Sequence, residues 1–312
     1  MPGIDQHHTV PLNIRDEFPP ITTEQWEALI NADLKGADYE KKLVWRTEEA
    51  IPVRPYYRSA DIAPADAAPG QFPFARGKAG GWTIAQQFDP GDCAVNASRF
   101  HESGATAVQE LACAIAEGVD RLAGAADPAA EAAGLTFVFS VGSNYFFEIA
   151  KLRAARLLWA RAVSAFAPDA EDAARMRIHA RTALANKSIY DPYTNLLRVT
   201  TEALAASIGG CDSLDVVPAR FSQRMAGNVQ LILKEEAHMD AVADPAGGSY
   251  YVETLTDSLA SAAWTLFQQI EGQGGFAKAQ EFIGARVAEA RAAKEKSMAT
   301  RRKVMVGVNN YP

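Results

Sequence analysis

The sequence has few cysteines, no excess of basic residues and no long apolar run. Its three cysteines, Cys93, Cys113 and Cys211, lie far apart without a CxxC pair, which predicts reduced thiols rather than disulfides or a metal site. The net charge of −7 leaves no basic surplus to neutralise phosphates, so we do not expect nucleic acid as a main partner. No uncharged apolar stretch approaches the ~20 residues that span a bilayer, so we expect no contact with a membrane.

The rest of the composition is typical of a large globular fold. Of the 312 residues, 48% are hydrophobic and 22% are charged, which is enough to bury one large core or two modest ones. The N-terminal residues MPGIDQHHTVPLNIRDEF contain no apolar run resembling a signal peptide. We therefore expect a soluble protein located in the cytoplasm.

A repeating pattern of strands and helices begins near Cys93. Four apolar, strand-like segments are each followed by an amphipathic helical segment, and they lie at 93–98, 135–141, 176–182 and 213–217. This alternation predicts parallel βα units with right-handed crossovers. A closed (β/α)₈ barrel has eight such units. The sequence therefore predicts an α/β fold of four βα units, a truncated TIM-barrel-like half-barrel.

Other segments flank these four units. The N-terminal part predicts a helix at 23–34, strand-like pieces at 43–46 and 51–57, and a linker rich in Ala, Pro and Gly at 59–81. A short strand is predicted at 82–88, and two amphipathic helices at 254–271 and 276–294. We divide the chain into an N-terminal arm and linker, 1–81, and a truncated barrel domain with C-terminal helices, 82–312.

Several long segments resemble one known family. They are GATAVQELACAIAEGV (104–119), FSVGSNYFFEIAKLRAARLLWA (139–160), YDPYTNLLRVTTEALAASIGGCDSL (190–214) and NVQLILKEEAHMDAVADPAGGSYYVETLT (228–256). They resemble the acyl-CoA-binding barrel of the methylmalonyl-CoA mutase family, adenosylcobalamin-dependent isomerases of acyl-CoA substrates. Residues 29–53 resemble the family's arm before the barrel, and residues 81–87 resemble its entry segment. The resemblance is closest to the small, or beta, subunit type.

The resemblance also shows what differs from the family. Only five residues separate Gln87 from Cys93, where the family has roughly four βα units, so about half of the barrel is expected to be missing. No match to the family's cobalt-ligating DxHxxG motif precedes Pro312. The resemblance therefore implies that adenosylcobalamin is bound by a partner chain. The expected partner is a large cobalamin-binding mutase subunit or a second copy of this chain.

His101 is the candidate catalytic residue. It follows the first predicted strand of the repeat, where a barrel active site would lie, and it resembles the histidine that hydrogen-bonds the substrate thioester carbonyl in catalytic mutases. A donor there would stabilise negative charge on that oxygen. The alternative is a strand-end residue that meets no substrate. Gln87 stands where the catalytic subunits have a tyrosine, which favours that alternative.

His179 and Arg181 are the candidate substrate-binding residues. Arg181 replaces a substrate-facing glutamine of the family and is of the right type to meet a carboxylate or a CoA phosphate. His179 either faces a ligand or is a hydrogen-bonded core histidine. The family's arginine that pairs with the substrate carboxylate would lie in the missing half of the barrel.

Three functions remain open from the sequence. The first is a structural small subunit of a heteromeric acyl-CoA mutase, inactive as an isolated chain. The second is a catalytic acyl-CoA-binding component that works with a separate cobalamin-binding chain, and the third is an inactive remnant that acts as an interaction module. Because a half-barrel exposes two sheet edges and an inner face that we expect to be apolar, we predict an oligomer.

Overall fold

A computed structural model describes residues 18, 20–62, 67–78, 80–86, 91 and 94–311. The chain divides into two compact units. The first comprises Met1–Trp45 and Pro52–Pro55, and the second comprises Arg46–Ile51 and Tyr56–Pro312. The first unit contains two helices, α1 (Thr23–Asp33) and α2 (Tyr39–Lys42). The helix predicted at 23–34 is confirmed.

A capping box begins α1. The backbone N–H of Gln25 donates to the hydroxyl of Thr22, and the backbone N–H of Thr22 donates to the side chain of Gln25, which satisfies two of the free N–H groups of a helix start. Two very short strands follow, β1 (Trp45–Arg46) and β2 (Pro52–Val53). The strand predicted at 51–57 is shorter than expected, since prolines at its second and fifth positions carry no N–H to donate.

A parallel sheet organises the second unit. Among the residues that the structure describes, it has five strands, β3 (Thr83–Ala85), β4 (Ala94–Asn96), β5 (Thr136–Val141), β6 (Arg177–Thr182) and β7 (Ser213–Asp215). Their order is β3-β7-β6-β5-β4, and every neighbouring pair is parallel. The four predicted strands of the repeat are confirmed as parallel neighbours. The strand predicted at 82–88 is β3, and it joins the sheet beside the last strand.

Helices flank this sheet. Within the described ranges they are α3 (Ser98–Glu102), α4 (Ala107–Gly124), α5 (Pro128–Gly134), α6 (Tyr145–Phe166), α7 (Pro192–Ile208), α8 (Gln223–Leu231), α9 (Tyr250–Gly272) and α10 (Gln280–Ala299). Short 3₁₀ helices occur at Ser59–Asp61 and Glu171–Ala174. The helical segment that follows the fourth strand of the repeat is divided, because a π-helical turn, Ile232–Glu236, follows α8. None of the helices described is long and apolar enough to cross a membrane.

The two faces of β5 differ in polarity. The ring of Phe137 packs edge-on against that of Trp159 in α6, with centroids 4.7 Å apart, so Phe137, Phe139 and Val141 lie on the helix side. The opposite face carries Val138 and Ser140, which are level with His179 and Arg181 of β6. Our expectation of an apolar inner face was therefore wrong. A continuous apolar run indicates burial, but it does not reveal which residues face the helices.

Helix α6 carries three buried cations, Lys151, Arg153 and Arg156. Arg156 donates to the carbonyl oxygens of Gly209 and Gly210 just after α7, at 2.6 and 3.0 Å. Burial lowers the pKa of Arg156 to about 10. Three cations inside the protein require partners, and the partners of Lys151 lead to the candidate site.

Candidate functional site

The candidate site lies at the carboxyl ends of β4 and β5. His101 belongs to α3, the single short helix turn that follows β4, and 15% of its side chain is exposed. Its Nδ1 atom lies 3.3 Å from Oε2 of Glu110 in α4. Helix α4 begins at the capping box of Thr106 and Gln109, which fixes the first turn that holds Glu110.

Glu110 is the centre of a buried polar network. Its side chain has no exposed surface, its Oε1 accepts from the backbone N–H of Ser140 at 2.9 Å, and its Oε2 accepts from Nζ of Lys151 at 2.8 Å. Lys151 also forms an ion pair with Glu148, one turn earlier on α6. Burial raises the pKa of Glu110, but Lys151 and His101 outweigh it, so the pKa lies below its usual value. Glu110 is therefore an anion.

The same balance keeps Lys151 charged. Burial lowers its pKa, but the carboxylates of Glu110 and Glu148 raise it further, so the pKa of Lys151 lies above its usual value. A fully buried ion pair with this geometry fixes two helices against the end of β5. The arrangement holds the ring of His101 in one position and does not offer Glu110 or Lys151 to solvent.

The contact with Glu110 determines what His101 can do. Because a carboxylate only accepts hydrogen bonds, Nδ1 of His101 carries the proton. A neutral ring then has an unprotonated Nε2, which accepts a hydrogen bond and cannot donate one. A Cβ added to Gly142 would lie 3.1 Å from this Nε2 and 3.2 Å from Oε1 of Glu148. A side chain at position 142 would therefore crowd the ring of His101.

Glu102 connects the ends of two strands. Its carboxylate accepts from the hydroxyl of Ser140 at 3.1 Å and from the backbone N–H groups of Leu184 and Ala185, at 3.0 and 2.8 Å. It thereby fixes the loop after β6 to the end of β5. No pattern in the sequence predicted a role for Glu102, Glu110 or Lys151. For Glu110 and Lys151, the available signal was a charged residue next to a leucine within a helix.

A second buried pair lies beside this network. Nζ of Lys187 is 2.7 Å from the carboxylate of Glu202 in α7, and the side-chain amide of Asn186 donates to the same carboxylate. For both residues of this pair, burial affects the pKa more than the ion pair does. It raises the pKa of Glu202 to about 7 and lowers that of Lys187. Glu202 therefore titrates near neutral pH, unlike Glu110.

The two predicted substrate-binding residues lie on the inner face of β6. His179 is fully buried, and its Nδ1 is 2.7 Å from the hydroxyl of Ser213 on β7. Burial, assisted by the charge of Arg181, lowers the pKa of His179 to about 4, so the ring is neutral at physiological pH. Arg181 is half-buried and stands in register with Asp215 of β7.

The predicted site residues have different partners. His101 contacts Glu110 of the buried network, whereas His179 contacts Ser213 of β7 and Arg181 is in register with Asp215. Gln87 lies outside the described residues, and so does Cys93. Cys113 and Cys211 are buried free thiols, and burial raises the pKa of each to about 12. Among the described residues, no cluster of three or more His, Cys, Asp or Glu side chains is placed to hold a metal ion.

The part of the chain that contains the candidate site also resembles a known protein family. The family described as methylmalonyl-CoA mutase matches residues 82–312, which is well over half of the sequence and includes every strand of the parallel sheet. The chain belongs to the methylmalonyl-CoA mutase family.

Three relatives within the methylmalonyl-CoA mutase family illustrate the similarity. The methylmalonyl-CoA mutase small subunit of Porphyromonas gingivalis is 31% identical over 435 residues, covering 95% of this chain and 70% of that protein. The methylmalonyl-CoA mutase of Cereibacter sphaeroides is 40% identical over 233 residues, covering 70% of this chain and 33% of that protein. The probable methylmalonyl-CoA mutase small subunit of Mycobacterium tuberculosis is 38% identical over 235 residues, covering 70% and 38%.

The lengths of these relatives differ from that of this chain. It spans only about a third of the Cereibacter and Mycobacterium proteins. The alignment with the Porphyromonas small subunit runs over 435 positions, whereas this chain has 312 residues. At least 123 positions within that alignment therefore have no counterpart in this chain.

The cofactor of the methylmalonyl-CoA mutase family is a cobalamin, and cobalt ligation by a histidine requires an accessible ring nitrogen. His179 has no exposed surface, and Nε2 of His101 faces Gly142 and Glu148. The ring of His179 is closed to a ligand as large as a corrin, and only 15% of the His101 side chain is exposed. These two residues do not fit cobalt ligation, and we assign them no step on the cofactor.

Proposed function

We propose that this chain is a structural small subunit of a heteromeric acyl-CoA mutase, whose adenosylcobalamin is bound by a larger partner chain. The main support is the connection between β3 and β4, which occupy opposite edges of the sheet although only eight residues separate Ala85 from Ala94. A crossover between parallel strands needs a dozen or more residues. This connection is too short to be a βα unit.

The strand order supports the same proposal. In chain order, β3 is the first strand of the parallel sheet and β7 is the last, and the two are paired. The first and last strands must pair in the same way in a barrel that closes on itself. The edge of β3 that faces away from β7 and the free edge of β4 are where the remaining strands of a closed barrel would lie. We therefore infer a half-barrel that lacks consecutive units from its middle, and the unmatched positions of the Porphyromonas alignment agree with that loss.

The candidate residues fit a structural role better than a catalytic one. Nδ1 of His101 is occupied by Glu110, so only its Nε2 is left to meet a ligand. Arg181 has the carboxylate of Asp215 in register on the adjacent strand, so an acidic side chain of this chain competes for its charge. His179 is neutral and bonded to Ser213.

The test uses the purified chain alone and together with the large mutase chain of the same organism. Alone, we expect no spectral shift of adenosylcobalamin and no conversion of methylmalonyl-CoA to succinyl-CoA. With the large chain, we expect a stable complex with mutase activity. Turnover or cobalamin uptake by the isolated chain, or the absence of any complex, would refute the proposal.

A second function is favoured by one observation. His101 follows β4 at the strand end where barrel active sites lie, and only its Nδ1 is occupied, by Glu110, which suits a catalytic component. A donor to a developing oxyanion contributes on the order of 10²–10³ in kcat. The substitution His101→Gln in the reconstituted complex decides between the two. An unchanged kcat supports the structural subunit, and a loss of that size supports the catalytic component.

A further inference from the structure

The residues after β6 form an exposed apolar surface that continues onto α7. Between 48% and 77% of each apolar side chain is exposed. We call these residues the α7 surface: Leu184, Ile189, Tyr190, Tyr193, Leu197 and Val306. Tyr193 and Leu197 are four residues apart and so lie on one side of the helix.

Hydrogen bonds join the parts of the α7 surface. The guanidinium of Arg198 donates to the carbonyl oxygen of Val306 at 2.6 Å, which attaches the C-terminal segment to α7. The guanidinium of Arg220 donates to the carbonyl oxygen of Ile189 at 2.8 Å. The backbone at Val306 and at Ile189 is therefore held in place by the fold, and exposed apolar patches mark sites of protein interaction.

The rim of the α7 surface is basic. Residues 184–201, 217–224 and 300–311 contain a single carboxylate, Asp191. That carboxylate accepts from the backbone N–H of Tyr193 at the start of α7. Arg198 lies close enough to Asp191 to contribute to lowering the pKa of that carboxyl. Within the described residues, Arg220, Arg224, Arg301 and Arg302 form no ion pair with a carboxylate. This basic rim is notable in a chain whose net charge is −7.

Charge decides which partner the α7 surface fits. Two copies joined through the same patch would place two basic rims together, and like charges at an interface are unfavourable. We propose that the α7 surface binds the larger mutase chain, through a contact surface that is apolar at its centre and acidic at its edge. This inference rests on the proposed function and adds the location and chemistry of the contact.

The test measures the affinity of the full chain for the purified large mutase chain at 50 and 300 mM salt. The double substitution Tyr193→Ser, Leu197→Ser removes two central apolar side chains, and we expect at least a 100-fold loss of affinity. The double substitution Arg301→Gln, Arg302→Gln leaves the apolar centre intact, and we expect a smaller loss together with a weaker dependence on salt. The control is Phe166→Ser, a 38% exposed residue at the far end of α6, which should bind within twofold of the unchanged chain.

Each contrary result has a distinct meaning. If the unchanged chain binds and the Tyr193–Leu197 variant binds equally well, the α7 surface is wrong and the proposed function stands. If the unchanged chain does not bind at all, both fail. A dimer of the isolated chain that the same variant dissociates would show a second copy as the occupant. Equal binding of a single-stranded oligonucleotide would show a general polyanion site. Both of these last results overturn the inference.

Discussion

Nδ1 of His101 and Nζ of Lys151 converge on one oxygen atom, Oε2 of Glu110, at 3.3 and 2.8 Å. One of these residues was predicted from its position at a strand end, and the other is buried in α6. Their common partner means that the orientation of the strand-end histidine depends on an ion pair within the protein interior. A change at Glu110 should therefore affect stability and the histidine together.

Replacing Glu110 by Gln tests the strength of this network. The change leaves Lys151 buried without its main counter-charge, and losing one member of a buried pair costs about 3–5 kcal/mol. The matched control is Glu131→Gln, which breaks the Arg121–Glu131 pair, about a third exposed on each side, and should cost about 0–1 kcal/mol. Urea unfolding measures both. Equal losses for the two variants would contradict the buried network.

Glu202 should make the protein less stable as the pH rises. Its folded pKa of about 7 exceeds the ordinary value of 4.5, so the folded state holds a proton that the unfolded state releases. This contribution is fully present below pH 4.5 and is lost as the pH rises through 7, by roughly 3 kcal/mol. Glu202→Gln should remove that falling contribution, so its unfolding free energy should rise more steeply with pH between pH 5 and 7 than that of the unchanged protein. The idea fails if the slope is the same in both proteins.

His179 should act in the opposite direction. Its folded pKa of about 4 is below the ordinary 6.5, so its contribution is fully present above pH 6.5 and is lost as the pH falls toward 4, again by roughly 3 kcal/mol. Because the two pH ranges overlap, the unchanged protein should show a flatter profile than either variant. His179→Asn should reveal the falling slope of Glu202 between pH 5 and 7. A profile that His179→Asn leaves unchanged would refute this account.

Gly118 should not tolerate a methyl group. A Cβ there would lie 2.6 Å from the ring of Trp159 and 3.2 Å from that of Phe137, and overpacking of a core costs about 1–3 kcal/mol. Gly284 is the control, since it is also within a helix but a Cβ there would meet nothing within 4 Å. Gly284→Ala should gain about 0.5–1 kcal/mol. Thermal unfolding of the two variants should show shifts of opposite sign.

The parallel sheet could be predicted because its signals are local. Each strand of the repeat is an apolar run followed by a helical pattern, and the step between strands leaves room for a crossover. Helix α5 was not predicted, because seven residues rich in Ala between two stronger elements give no periodicity. The face of β5 that meets the helices was also out of reach, since Phe137 and Val138 are equally apolar.

The candidate site was predictable only in part. His101 was predicted from its resemblance to a histidine of the family and from its place after a strand, and its role remains a prediction. Glu110 could not be predicted, because a glutamate in a helix is ordinarily exposed, and its burial becomes clear only when α4, α6 and β5 meet. The neutral state of His179 depends on Ser213, more than 30 residues away in sequence, and no local pattern connects the two.

The free borders of the sheet are short, since β3 and β4 have three residues each. A long, flat border strand can recruit strands of other chains and start aggregation, and short border strands are one of the ways in which proteins avoid this. A protein that loses βα units from the middle of a barrel acquires two such borders at once. With three residues on each, there is little backbone for another strand to extend. The shortness of β3 and β4 therefore limits the backbone through which the half-barrel proposed above could pair with a strand of another chain.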